Sequence, residues 1–324
     1  MSTNHYQDRV NRVLDYVAEH LDGNLSLNRL ARVSNFSPFH FHRLFHGVTG
    51  ETLNSYVRRA RLEKAAQLMR ASPKRRITDI ALDVGFAGSS EFSRAFKAHF
   101  GRSASSWDRR SPLENSKICK ATDGIVLYPL DELESRRKAA GLRVRVTKVE
   151  RCCFAYLRTF DPYQNERLIN VYHSLVDWLS KRQTDLSDVV IVGMSQDDPA
   201  ITPPGKYRYD MGVAFAESSK GGLVGEILKS RKRPNTRVAI PKRSECEAFG
   251  LTLRDFEAET IAAIHCVGDI SIVAYAWQYL FRIWLPESGY QPANMPAFEV
   301  FARTPEEIGW TTFDLNACLP IKKL

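Results

Sequence analysis

Apolar positions in the first hundred residues recur at helical spacing, in separate blocks. Val10, Val13, Leu14 and Val17 form one stripe within Tyr6–Leu21, and Asp22-Gly23-Asn24 ends it. Ser26 stands where a helix cap would, and Ser37-Pro38 offers a capping serine followed by proline at a first helical position. Glu51–Met69 reads as one long basic helix with Arg58, Arg59, Arg61 and Lys64, whose charges suit either phosphate or a solvated face. In TDIALDVGFAGSSEFSRAFKAHFG, residues 78–101, Ile80, Ala81 and Val84 make one stripe and Phe92, Ala95, Phe96 and Phe100 another. Gly85 between them tolerates positive φ, so the stretch predicts helix, tight turn, helix. The second helix then exposes Ser89, Ser90, Ser93 and Arg94 opposite its phenylalanines, and hydroxyls with one guanidinium suit base edges in a major groove.

The same pattern occurs fifty residues earlier in LARVSNFSPFHFHRLFHGVTG. Ala31 matches Ala81, Asn35 matches Gly85 and Phe36 matches Phe86. After a one-residue slip, Phe41, Arg43, Phe45 and Gly50 match Phe92, Arg94, Phe96 and Gly101, and Tyr56 falls opposite Trp107. Asparagine is the next best residue to glycine at a left-handed turn position. Two recognition helices in one unit suit successive major-groove segments about 34 Å apart. If the duplex must bend to meet both, its deformability adds to specificity.

On these residues the stretch from Val10 to Arg110 resembles the DNA-binding domain of AraC/XylS transcription regulators, with GFAGSSEFSRAFKAHFG as the most specific signature. The resemblance implies seven helices, with two helix-turn-helix units joined by a long central helix. By position it gives Phe39, His42 and Arg43 to the first recognition helix and Ser89, Ser90, Ser93 and Arg94 to the second. Some related regulators carry glutamines where Ser89 and Ser90 stand here, so these shorter side chains reach less far.

Charge follows the same division. The chain has 324 residues and a net charge of +9, and residues 1–110 hold 18 Lys or Arg against 10 Asp or Glu, leaving 28 against 27 for the rest. A positive field therefore accompanies the expected double-stranded DNA partner. No apolar run is long enough for a membrane span and no apolar signal core opens the chain, so a cytoplasmic protein is expected. Six cysteines show no C-x-x-C spacing; buried thiols are expected, with adjacent Cys152 and Cys153 as a redox alternative. His42 and His46 are four apart, as helical metal ligands can be, but nothing nearby completes a set, so no metal or cofactor is expected.

After Trp107 the composition changes. Residues 108–122 are polar with one proline, residues 131–140 read as a charged helical stretch, and from Leu142 short β-rich segments alternate with helices. LINVYHSLVDWL is answered about 106 residues later by VAYAWQYLFRIWL, with Trp178 opposite Trp284, both read as core. YRYDMGVAF, with Asp210, is answered by TTFDLNACLPI, with Asp314. The expectation is a multidomain chain. An all-α domain with two helix-turn-helix units (1–110) and a linker (111–141) precede an α+β domain (142–324) of two pseudo-symmetric strand-helix-strand-strand repeats. The groove between the repeats is a natural ligand site.

IWLPESGYQPANMPAFEVF and the closing CLPIKKL resemble the GyrI-like effector-binding domain. That resemblance implies a hydrophobic pocket in which one buried glutamate, here Glu299, recognises cationic aromatic molecules. A carboxylate between Phe298 and Val300 on a strand costs free energy unless paired, and a cationic ligand supplies the missing charge. Phe301 shares its face of the strand, Trp277 on the facing helix offers cation–π attraction, and Met194 is the partner position in the first repeat. Together these point to a ligand-responsive transcription regulator that engages promoter DNA, RNA polymerase and a small-molecule effector. The alternatives are a hydrolase, with Glu299 as general base, or a protein-interaction domain behind the same DNA-binding head. No nucleophile elbow, phosphate loop or metal set is present to support an enzyme.

Overall fold

The computed structural model describes residues 3–72, 74–107, 128–139, 141–162, 164, 166–198, 201–203, 205–216, 222–230, 238–293 and 295–323. Contacts divide the chain into two compact units. The first is Met1–Asp123 together with Asp197–Tyr207; the second is Gly124–Gln196 together with Arg208–Leu324. The Asp197–Tyr207 segment, within the stretch expected to form the second domain, thus counts with the first. The polar stretch 108–122 lies outside the described residues.

Among the described residues of the first unit six α-helices follow one another: α1 Thr3–Glu19, α2 Leu27–Val33, α3 Pro38–Thr49, α4 Leu53–Ala71, α5 Ile77–Asp83 and α6 Ser89–Phe100, with a 3₁₀ turn at Ala104–Ser106. Ser37 caps α3 by accepting from the His40 N–H, with Pro38 at the first helical turn. Thr52 caps α4 by accepting from the Ser55 N–H at 3.2 Å, which starts that helix at Leu53, two residues after the expected Glu51. Ser26 holds the cap position of α2 without a side-chain cap bond; its own N–H donates to Asn24 Oδ1 at 3.0 Å instead.

Both turns between paired helices adopt the left-handed conformation, with φ of 52° at Asn35 and 86° at Gly85. A Cβ at Gly85 would also run into the Leu21 carbonyl and the Arg61 guanidinium, so glycine is required there twice over. The repeat reappears in ring packing. Phe45 meets Tyr56 edge-on at 5.4 Å and 76°, and Phe96 meets Trp107 edge-on at 5.3 Å and 89°.

Arg59 and Arg61 of α4 are occupied by structure rather than presented to phosphate. Arg59 is buried between Glu51 and Glu63, at 2.6 and 3.1 Å, and lies over the Tyr56 ring. Arg61 donates to the Leu21 and Gly23 carbonyls at 2.8 and 3.0 Å, tying α4 to the end of the α1 region.

The second unit opens with α7 Leu130–Ala139 and is built on an antiparallel sheet. Its strands are β1 Val144–Val149, β2 Cys152–Phe160, β3 Val190–Ser195, β4 Arg208–Ala216, β5 Thr252–Phe256, β6 Glu259–Gly268, β7 Tyr290–Pro292, β8 Phe298–Phe301 and β9 Phe313–Lys323. Between them lie α8 Arg167–Lys181, α9 Leu223–Ser230, α10 Arg243–Phe249 and α11 Ile270–Tyr279, which runs on through a π-helical turn at Leu280–Trp284. The strand order is β1-β6-β9-β8-β3-β4-β2-β5, with β7 added on β9. Counting outward from the central β8–β3 pair, β9 follows on one side and β4 on the other, then β6 and β2. β1 and β5 each close the edge beyond the other half's strand.

One sheet face carries Phe154, Val192, Met194, Phe298 and Val300 in a single apolar core with Leu223, Val224 and Ile227 of α9. The opposite face meets α8, where buried Trp178 packs edge-on against Phe215 at 6.1 Å. Trp284, expected as its core counterpart, is only half-buried and stacks on Tyr290 at 6.0 Å. At one end of β2 and β4 a fully buried bidentate pair, Arg158 to Asp210 with both bonds 2.7 Å, also takes a bond from Gln196 at 2.8 Å. Cys152 and Cys153 are both buried, and that desolvation pushes each thiol up to about 12, away from the thiolate a redox switch would use.

Candidate nucleic-acid interface and ligand site

On α3 the buried positions are Phe41, Phe45 and Thr49, and helical spacing turns Phe39, His42 and Arg43 to solvent. Phe39 is 68% exposed, and the Arg43 guanidinium lies 5.9 Å from its ring centroid. On α6, Phe92, Ala95, Phe96 and Phe100 are buried, and Ser89, Ser90, Ser93 and Arg94 all face outward. Each expected reader is therefore on the outer face of the second helix of its pair. Among the described residues no group of three or more His, Cys, Asp or Glu side chains is placed to hold a metal, and His40 instead bonds its own cap, Ser37.

In the second unit, β8 places Glu299 between Gly193 of β3 and Ala317 of β9. Glycine and alanine on either side leave room above the carboxylate, and larger side chains reach across to fill it. Trp277 of α11 donates its indole N–H to Glu299 Oε1 at 3.0 Å, and the Tyr209 hydroxyl of β4 donates to Oε2. A Cβ at Gly193 would overlap that hydroxyl, so only glycine lets Tyr209 pass. Trp277 is half-buried and stacks on half-buried Phe281, centroids 6.0 Å apart, giving the carboxylate an aromatic wall.

Burial raises the pKa of Glu299 above the ordinary carboxylate value, and the bonds from Tyr209 and Trp277 pull it part of the way back. Both donors are neutral. Among the described residues no Lys, Arg or His forms an ion pair with this carboxylate. Phe301 lies two residues along on the same face of β8, buried and paired with Leu315.

The expectation for Met194 does not hold. The β3–β8 register pairs Met194 with Phe298 and Gly193 with Glu299, so Met194 points to the opposite face, where it lines a small apolar pocket with Val192, Phe298 and Val300. A one-residue offset in a strand moves a side chain to the other side of the sheet.

A family model for a helix-turn-helix domain matches residues 30–110, and one for a GyrI-like small molecule binding domain matches residues 143–322. Regulatory protein SoxS of Salmonella typhimurium is 34% identical over 105 residues, which are 32% of this chain and 97% of SoxS. The chain belongs to the AraC family of DNA-binding transcription regulators and carries a GyrI-like domain. The right origin-binding protein of Escherichia coli is 39% identical to this regulator over 100 residues, 31% of the regulator and 34% of that protein. The C-terminal domain of AraT, a response regulator from Geobacillus stearothermophilus, covers 36% of the regulator and 92% of its own chain at 29% identity and a TM-score of 0.30. SoxS and this E. coli protein each align with about a third of the regulator, whereas the GyrI-like family match spans residues 143–322.

Sequence reading of this AraC-type regulator missed Tyr209, Gly193 and Phe281. Phe281 was recoverable, since it stands one helical turn after Trp277. Tyr209 was not, because its reach to Glu299 depends on strand order and on the bare backbone at Gly193. No helix among the described residues is long and apolar enough to cross a membrane.

Proposed function

We propose that this regulator reads promoter DNA through Phe39, His42 and Arg43 on α3 and Ser89, Ser90, Ser93 and Arg94 on α6. Its engagement of DNA and RNA polymerase in the cytoplasm changes when a cationic or amphipathic aromatic molecule binds at Glu299. The observation that carries the ligand class is a desolvated carboxylate held by two neutral donors beside a half-exposed tryptophan. A bound cation would satisfy the charge by Coulomb attraction in a low-dielectric site, and the Trp277–Phe281 wall would take its aromatic part by stacking and cation–π attraction. Phe301 would close the same side of the site. A neutral ligand would leave the charge uncompensated, and an anion would be repelled.

The test is thermal stabilisation of the full chain by cationic, neutral and anionic aromatic dyes of matched size, with Glu299→Gln alongside. Stabilisation by cations alone, lost in Glu299→Gln, is the expected result. Equal stabilisation of both proteins would refute the assignment to Glu299.

A further inference from the structure

The Asp197–Tyr207 segment joins β3 to β4, yet by contact it is part of the helical unit. Its groups reach both helix pairs. Lys206 Nζ donates to the Thr49 carbonyl at 2.8 Å, at the C-terminal end of α3, where the helix dipole also favours a cation. Thr202 donates to Glu63 Oε2 at 3.0 Å midway along α4, beside the buried Arg59. Asp198 accepts from Arg70 at 2.5 Å in the last turn of α4. Ile201, fully buried, joins the core of the second pair with Met69, Phe86 and Trp107. Within it the N–H groups of Ile201 and Thr202 both donate to the Asp198 carbonyl, at 2.9 and 2.8 Å.

A connection that merely closed a hairpin would run over solvent-exposed surface and bury little. This one buries an isoleucine and supplies partners to the end of the first recognition helix, to the connecting helix and to the second pair. We infer that the segment is a strap that holds the two recognition helices at one spacing, with Lys206, Thr202, Asp198 and Ile201 as positioning residues for two-site DNA reading. Readers fixed before binding lose less conformational freedom when both engage a duplex, and they reject a duplex whose sites are displaced.

The test uses the full chain and a duplex selected by that chain from a random library. An Asp198→Asn/Thr202→Val double variant keeps side-chain volume while removing the charge and the hydroxyl. The wild type is expected to lose roughly tenfold or more in affinity when one base pair is inserted between the two contacted segments, and the variant less than about threefold. A role in overall stability alone would lower both affinities by the same factor, and an unchanged ratio would overturn the proposal. A second measurement, without DNA, is amide hydrogen exchange. Faster exchange at His46–Gly50 and Leu62–Met69 in the variant is expected, and wild-type protection at both would also overturn the strap.

Discussion

Glu63 and Glu299 are carboxylates that burial pushes above the usual range, and their neighbours separate them. Glu63 has Arg59 at 3.1 Å and the Thr202 hydroxyl at 3.0 Å, and Arg59 is itself bonded to Glu51. Its countercharge is a residue of the same helix, so the cluster is complete without a ligand. Glu299 has a phenol and an indole. Its charge is hydrogen-bonded without being neutralised, and the missing half must arrive as a proton or as a cation. Desolvation therefore marks both sites, and the identity of the donors decides which is structural and which binds.

The comparison breaks first at Arg59. Arg59→Met leaves Glu51 and Glu63 together without a cation, and a loss of about 3–5 kcal/mol in unfolding free energy of the helical unit is expected in urea titrations. A loss below about 1 kcal/mol would mean that Glu63 is no better satisfied than Glu299.

Glu299→Gln should weaken binding of a cationic dye by roughly 2–5 kcal/mol, the range for removing one partner of a desolvated charge pair. The ligand-free variant should also melt higher than the wild type at neutral pH. The folded-state pKa of Glu299 lies above its unfolded value, so the group favours folding at low pH. That contribution is lost as pH rises through the folded pKa, whereas glutamine has no charge to gain. For the same reason dye affinity in the wild type should fall on acidification through that raised pKa. Melting curves and fluorescence titrations between acid and neutral pH check both signs.

Smaller effects are expected at the DNA face. Arg43→Ala and Arg94→Ala should each cost about 1–3 kcal/mol on a selected duplex and less on random DNA. Equal losses on both duplexes, measured by competition, would reduce these arginines to phosphate contacts. Smallest is Trp277→Phe, which keeps a ring face and removes one donor to Glu299; about 1 kcal/mol of dye affinity should go with it, read by calorimetry.

The helical unit was legible because its signals are local. Positive φ at Asn35 and Gly85 and the ring pairs Phe45–Tyr56 and Phe96–Trp107 occur once in each copy, and the cap at Ser37 depends on its immediate neighbours. The basic helix was legible as a helix but not in its chemistry, since whether Arg59 meets phosphate or Glu63 depends on which face α4 buries. In the sheet unit, Glu299 and Trp277 were legible as candidates, and the structure brings them to 3.0 Å. Met194 was misplaced because position in a repeat does not fix register between strands far apart in sequence.

By itself, then, the sequence determined the helix pairs, the faces that carry Phe39, His42, Arg43, Ser89, Ser90, Ser93 and Arg94, and the identity of an uncompensated carboxylate. Helical periodicity ties each side chain to a face through backbone geometry alone. Tertiary structure alone decided that Tyr209 crosses Gly193 to hold Glu299, that Arg59 and Arg61 are internal, and that residues 197–207 join the helical unit. Arg61 and its partners, Tyr209 and Glu299, and the 197–207 segment and its partners lie 38 to 157 positions apart in the chain, where no local rule relates them. For Arg59, whose partners Glu51 and Glu63 are close in sequence, packing decided the burial.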